Sequence, residues 1–388
     1  MSEYLLDTSR LVSRLLDNLL PTGVDRVSLA YVSRYGSRAR ALISHRGHAI
    51  DLTPRDSQTL FEMLLGGRRP VGVRTWLAAS LARGVTARIT GREAQRATLL
   101  HTSHTGMEHL HYYRRLRRRG VRSVMMIHDL IPITHAEYCR PHAKQQHRRR
   151  IHAALQYADG LVTNSADTLK ALSSEAVLAG LPLPQHVVAP LAPGIVRSEA
   201  MSRPLASPYF VMVGTIEARK NHWLILQVWR RLVERFGSAA PRLVLIGRRG
   251  WESENAIDML ERSDALREHV IEIGDCDDRG LQQWLQHACA LLFPSFVEGY
   301  GMPLVEALTL GVPVIASPLD VFREIAGDIP DYVDALDGPG WVARIESFSD
   351  AGASARANQL QRMAKFQTPT WDDHFSRVDA LLAQLAVH

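Results

Sequence analysis

The segment Glu298-Gly299-Tyr300-Gly301-Met302-Pro303-Leu304-Val305-Glu306 sets two carboxylates around an expected helix start. An apolar run, ALLFPS, ends just before it, a glycine-containing loop follows, and Pro303 suits a first helical turn, where its missing N–H costs nothing. Gly299 and Gly301 remove side chains where backbone N–H groups can meet a ligand, and the helix N-terminus adds donors and positive dipole suited to a phosphate. A carboxylate facing vicinal hydroxyls makes charge-assisted hydrogen bonds, which suits a ribose or a hexose. The structural alternative is a solvated Glu298 and a Glu306 that only complements the helix dipole.

A second segment, VMVGTIEARKN (211–221), brings adjacent Arg219 and Lys220 to the carboxyl end of an expected strand. Two cations there are placed to neutralise a diphosphate leaving group. In RLVLIGRRGWESE (242–254), Gly247 and Gly250 allow close approach of a base or phosphate, and Trp251 offers either a stacking surface or a packing anchor. In VMMIHDLIPI (124–133) an apolar strand ends in His128-Asp129, so that His128 can hydrogen-bond a sugar while Asp129 sets the orientation. Pro21-Thr22-Gly23 reads as a turn before a helix starting near Asp25. The histidines His101, His104, His109 and His111 lack firm metal-ligand spacing. The run from Tyr112 to Arg119 is basic with interleaved aromatics. It reads as an interfacial helix for anionic lipid, or equally as a solvated helix face.

Positioning these groups requires strands that end where the motifs begin. After the Pro/Ser/Ala-rich stretch Ala189–Pro208, apolar runs at 209–214, 242–247, 270–274, 290–295 and 312–317 alternate with helical patterns over 223–236, 254–267, 278–289 and 303–310. The N-terminal half shows similar strands at 39–44, 97–102, 121–129 and 160–165. Crossovers of this length imply parallel sheets with helices on both faces, hence α/β units with ligands at the carboxyl ends of the strands. The expected division is a Rossmann-like domain over 1–195, a second over 205–369, and a helix over 370–388 returning to the first.

The 388 residues exceed what one core usually supports. No window of about 18 apolar residues suggests a membrane span, and MSEYLLDTSRLVSRLLDNLL lacks the apolar run of a secretory leader. Three well-separated cysteines, Cys139, Cys276 and Cys289, fit a reducing compartment and read as buried small hydrophobes. The net charge of +6 hides an asymmetry: residues 1–195 hold 27 basic against 14 acidic side chains, and residues 196–388 hold 19 against 26. The N-terminal half is therefore expected to meet something anionic. No recognised nucleic-acid motif accompanies that charge, so nucleic acid is not expected as a partner.

Together these residues resemble glycosyltransferase family 4, retaining enzymes of the GT-B fold with two Rossmann-like doubly wound domains facing each other across a cleft. Glu298 and Glu306 match the family's E-G-[FY]-G-x-P-x-x-E element, Arg219 and Lys220 its Arg-Lys pair, and Gly247, Gly250 and Trp251 a G-x-x-G-W element of mannosyltransferase-like members. The TG-x-x-RV turn at Gly23, the loop His104-Thr105-Gly106 and the HDLIPI run are similar to bacterial members that build surface polysaccharides. The resemblance implies catalytic roles for His128, Arg219, Lys220 and Glu298. It implies donor binding by Gly23, Gly247, Trp251, Gly299, Tyr300, Gly301 and Glu306. It further implies a nucleotide-sugar substrate, GDP-mannose-type before UDP- or dTDP-linked, and a saccharide or lipid-linked saccharide acceptor. Neither metal nor other cofactor is expected, and the setting is cytoplasmic or peripheral on the inner membrane face. A GT-B-fold sugar- or lipid-binding scaffold without catalysis is the alternative.

Overall fold

The computed structural model describes residues 3–66, 70–195, 201–349 and 354–387. Residues 196–200 of the expected linker lie outside these. The described chain divides into two units, one of Met1–Ile133, Lys144–Leu191 and Trp371–His388, the other of Thr134–Ala143 and Ala192–Thr370.

The first unit is built on seven described strands: β1 (Tyr4–Asp7), β2 (Ala39–His45), β3 (His48–Asp51), β4 (Thr98–His101), β5 (Arg122–Ile127), β6 (Gly160–Thr163) and β7 (Gln185–Val188). They lie in the order β3-β2-β1-β4-β5-β6-β7. All neighbours are parallel except β2 and β3, a hairpin at one edge, which departs from the all-parallel expectation. Four of these strands, β2, β4, β5 and β6, coincide with apolar runs in the sequence. β1 does not, although its Leu5 and Leu6 are buried at the centre of the sheet. The helix Trp371–Val387 belongs to this unit. His374 Nδ1 donates to the Ala189 and Pro190 carbonyls, each at 3.1 Å, which leaves Nε2 to accept from the Tyr31 hydroxyl at 3.0 Å. Burial holds His374 neutral, its pKa lowered to about 4.

The basic run of this unit differs from expectation. Leu110–Arg118 is a helix, but Tyr112 and Tyr113 point into the core, 2% and 1% exposed. Their hydroxyls bond Asp7 at 3.1 Å and His101 Nδ1 at 2.9 Å. The aromatics are therefore not available to an interface. Helical spacing explains the error, since two adjacent tyrosines in an arginine-rich stretch occupy the inner stripe while the arginines take the outer one.

The second unit carries β8 (Tyr209–Val213), β9 (Arg242–Ile246), β10 (Val270–Ile273), β11 (Leu291–Phe293), β12 (Val314–Ala316) and β13 (Asp331–Tyr332). Their order is β10-β9-β8-β11-β12-β13 and every pairing is parallel. This is the doubly wound dinucleotide-fold order, in which the direction of winding reverses between the first and fourth strands. The alternation along β8 and β11 shows why both faces are covered. Tyr209, Val211, Leu291 and Phe293 enter one apolar cluster, while Phe210, Met212 and Leu292 enter the other. The expected helix over 254–267 is two pieces, Glu254–Arg262 and Asp264–Arg267, with Ser263 in extended backbone between them. The three cysteines are half-buried rather than buried. No described helix is long and apolar enough to cross a membrane.

Gly247, just past β9, is a packing requirement. A Cβ on it would stand 2.0 Å from the Gly214 carbonyl oxygen, and one on Gly250 would stand 2.6 Å from Thr215 Cγ2. Backbone hydrogen bonds from Ile216 to the Arg248 carbonyl and from Gly250 to the Ile216 carbonyl, each 2.9 Å, zip the two loops together. Both glycines serve contact between the two loops. Gly247→Ala is expected to lower unfolding free energy by about 2 kcal/mol or more, the cost of an overpacked, immobile backbone contact, as read from urea denaturation.

Candidate active site

The reversal of winding in the second unit lies between β8 and β11, and the two loops leaving those strands carry the charged residues. After β8 the chain passes Glu217, makes a single tight turn over Ala218–Lys220, and enters the helix His222–Phe236 through Asn221 at φ 59°. Asn221 tolerates this left-handed conformation better than most residues. Its Nδ2 donates to the Pro294 carbonyl at 3.3 Å and the Ala335 carbonyl at 2.7 Å. The Phe296 N–H donates to the Arg219 carbonyl at 2.9 Å, so the β8 and β11 loops are pinned to one another.

Within that frame Glu298 is the hub. Its Oε2 lies 2.7 Å from Arg219 Nη1, and its Oε1 lies 2.6 Å from Lys220 Nζ and accepts from Ser295 Oγ at 2.8 Å. A second carboxylate, Glu217, pairs with Arg219 Nη2 at 2.7 Å. The Lys220 ammonium also sits 4.8 Å from the centroid of the Phe293 ring, a cation–π contact. All three of Glu217, Lys220 and Glu298 are buried. Burial alone would raise the Glu298 carboxyl, but Arg219 and Lys220 overcome it and hold the pKa down at about 2. Burial raises Glu217 against the pull of the same two cations, and lowers Lys220 against the pull of Glu298.

Arg219 and Lys220 are therefore each paired with a carboxylate, a refinement of the reading that set them aside for a ligand alone. An ammonium has three donors, and the contact to Glu298 uses one. Glu217 and Ser295 were not singled out in the sequence. The signal for Glu217 was its place two residues before the Arg-Lys pair, in a loop already assigned to chemistry.

Gly301 caps the helix Met302–Leu310 at φ 116°, with Pro303 in its first turn as expected. Here glycine is obligatory twice over: the φ is left-handed, and a Cβ would stand 2.8 Å from Phe322 Cε1. Glu306 is 1% exposed, and its Oε1 accepts from the Gly194 N–H at 3.2 Å. Glu306 thus ties down the chain entering the second unit, while Glu298 holds the cations. The two glutamates are not one matched pair. Tyr300 is buried, and Trp251 is exposed with the Arg140 guanidinium 4.8 Å from its ring centroid.

In the first unit His128 lies just past β5 and is buried. Its Nε2 faces the Thr102 carbonyl at 2.8 Å, so Nε2 carries the proton and Nδ1 is left as an acceptor. Burial lowers its pKa, which keeps it neutral. Its backbone N–H donates to His104 Nε2 at 3.1 Å, and its carbonyl accepts from Asn164 Nδ2 at 3.0 Å. Asp129 does not orient the ring. Its Oδ1 accepts from the Ile131 N–H at 3.0 Å, which closes the turn into Ile131–Thr134. Gly23 is the first residue of the helix Gly23–Tyr35, two residues earlier than the sequence suggested. Thr22 and Asp25 form a capping box there, and Asp25 is clamped by Arg10 and Arg14 at 2.7 and 2.8 Å. No cluster of His, Cys, Asp and Glu among the described residues has a metal-holding arrangement.

Residues 198–330 match the family model described as "Glycosyl transferases group 1", a span that contains Glu217, Arg219, Lys220, Glu298 and Glu306. The chain is 31% identical over 238 residues to the O-antigen chain mannosyltransferase B of Escherichia coli, covering 57% of this chain and 61% of that protein. It is 27% identical over 245 residues to the serotype-specific mannosyltransferase WbdA of Escherichia coli, covering 59% of this chain and 30% of that one. It thus spans between a quarter and about three-fifths of the curated relatives it matches. Among solved structures it superposes on the Anabaena protein Alr3699/HepE in complex with UDP and glucose with a TM-score of 0.66, at 14% identity, over 98% of this chain and 99% of that one. At that identity the likeness establishes the fold. The chain has the GT-B fold, and residues 198–330 of its second unit match the group 1 glycosyl transferase model.

The Glu298 ion pairs make a stability prediction with a defined sign. A carboxyl whose folded pKa is about 2, against an ordinary 4.5, contributes stability that is complete above pH 4.5 and is lost as pH falls toward 2. Glu298→Gln leaves the buried Lys220 and the half-buried Arg219 without this partner and is expected to cost about 3 kcal/mol or more at neutral pH. In urea melts at descending pH, the gap between the natural protein and the variant should close between pH 4.5 and 2, because the protonated acid resembles the amide.

Proposed function

We propose that the protein is a retaining hexosyltransferase that takes a sugar of the GDP-mannose type from its nucleotide and passes it to a saccharide or lipid-linked saccharide in surface-polysaccharide synthesis. The observation that carries this reading is Glu298 bridging Arg219 and Lys220 at the point where the winding of the second sheet reverses. Ligands of doubly wound sheets bind at that point, and two cations there suit a nucleoside diphosphate. The names of the relatives, mannosyltransferases of O-antigen chains, support the mannose-type donor.

In this reading the acceptor hydroxyl oxygen bonds to the anomeric carbon on the face from which the nucleoside diphosphate departs. The C–O bond to the diphosphate breaks, and a diphosphate oxygen takes the acceptor's proton. Arg219 and Lys220 stabilise the charge that grows on the departing diphosphate. Glu298 positions both cations and accepts from donor-sugar hydroxyls, with the amides of Gly299, Tyr300 and Gly301 helping. Glu306 holds the ribose hydroxyls. In the first unit, the neutral His128 keeps Nδ1 as an acceptor suited to a sugar hydroxyl, and Gly23 starts a helix without a side chain. Neutralisation by the two cations and the helix dipole takes the place of a divalent ion.

A panel of GDP-, UDP- and dTDP-sugars, with and without EDTA and with mannosyl acceptors, tests the proposal through release of nucleoside diphosphate. The expected result is release from GDP-mannose that EDTA does not change. Release from none of the donors would instead favour a sugar-binding scaffold. Lys220→Ala is expected to lower kcat/KM about a hundredfold or more without unfolding the protein, the scale of losing a preorganised group facing developing charge. Full activity in that variant would remove Lys220 from the site.

A further inference from the structure

A cavity of about 390 Å³ opens in the second unit on the far side of the Glu217 turn, lined by Tyr138, Glu217, His222, Trp223, Ser253 and Phe296 among others. Its volume is within the range of small-molecule sites. The donor reading uses none of these residues except Glu217, which supports Arg219 from behind.

Three features of the wall point to one kind of occupant. The first is charge: Glu217, Glu252 and Glu254 line the cavity, and neither Lys nor Arg does. A phosphate or nucleotide would be repelled, and the acidic set lacks a metal-holding arrangement among the described residues. The second is aromatic surface. Tyr138 stacks on Phe296 with centroids 5.3 Å apart and planes 5° from parallel, and Trp223 on the same wall is 49% exposed. Rigid ring faces suit the apolar C–H face of a pyranose. The third is unmet polarity. His222 Nδ1 and Ser253 Oγ have no hydrogen-bond partner among the described residues, although both residues are more than nine-tenths buried. Such atoms are rare in folded proteins, and here both belong to residues of one cavity wall. Burial beside Lys220 lowers His222 to about 3, so the ring is neutral and can both donate and accept. Asn221 and Asn255 add side-chain amides to the lining.

We infer that this cavity is a binding subsite for a neutral saccharide unit, held by aromatic faces, carboxylates and side-chain amides, with the unpartnered polar atoms of His222 and Ser253 lying just behind its wall. The inference does not require the donor assignment to be correct. It gives the second unit a grip on glycan as well as on nucleotide sugar. Glu217 both lines the cavity and pairs with Arg219, which places the cavity next to the cation pair.

Saturation-transfer NMR and calorimetry on the full chain, with methyl α-mannoside, N-acetylglucosamine and an α-linked mannotriose as probes, test it directly. At least one probe should bind. Trp223→Ala and Asn255→Ala should each weaken that binding at least tenfold with unchanged thermal melting, since both side chains are exposed and carry little of the fold. GDP and UDP should not compete. Binding of none of the probes, undiminished binding in both variants, or competition by either nucleotide would overturn the subsite. None of these results depends on turnover, so failure here and failure of the transferase reading are distinguishable.

Discussion

Glu298 is a carboxylate buried between two cations, and the geometry of the second unit is arranged around keeping it ionised. Burial depresses the Lys220 ammonium, and Glu298 pulls the other way. The β11 loop brings Glu298 and Ser295, the β8 loop brings Glu217, Arg219 and Lys220, and the Phe296–Arg219 backbone bond and the Asn221 side-chain bond to the Pro294 carbonyl set the spacing. A cluster of this kind gives little net stability over an apolar replacement, yet losing one member is costly, so its worth lies in fixing where the charges stand. Ligand chemistry in this unit therefore begins from charges that are already ordered and desolvated.

Much of this was readable from residue order. Apolar runs such as YFVMVG and ALLFPS are long enough to be strands and end at the residues that carry charge, so β8, β9 and β11 and their loops could be placed. The strands that escaped are short or polar. Tyr4–Asp7 runs almost directly into a helix with similar apolar spacing, Gln185–Val188 starts with two polar residues, and Asp331–Tyr332 is two residues long. The first two take their strand character from neighbours in the sheet, which periodicity within the segment cannot reveal.

At the site itself, residue types were easier to read than partnerships. The sequence showed two glutamates eight positions apart near a helix start, but not that one would hold cations and the other the Gly194 N–H. It showed Gly247 and Gly250, but the atoms they make room for belong to another loop, over thirty residues upstream. The cavity beside Glu217 was illegible for the same reason. Its wall draws on Tyr138, from a segment between two elements of the first unit, and on residues spread from 217 to 336.

The helix Trp371–Val387 completes the first unit, with His374 locked to Tyr31 and to the carbonyls at 189 and 190. During synthesis the second unit emerges whole, while the first waits for the helix Trp371–Val387 that follows it. Until then Tyr31 lacks its His374 partner and the carbonyls of Ala189 and Pro190 lack their donor. Order of translation and order of folding are thus inverted: the unit begun first is finished after the second.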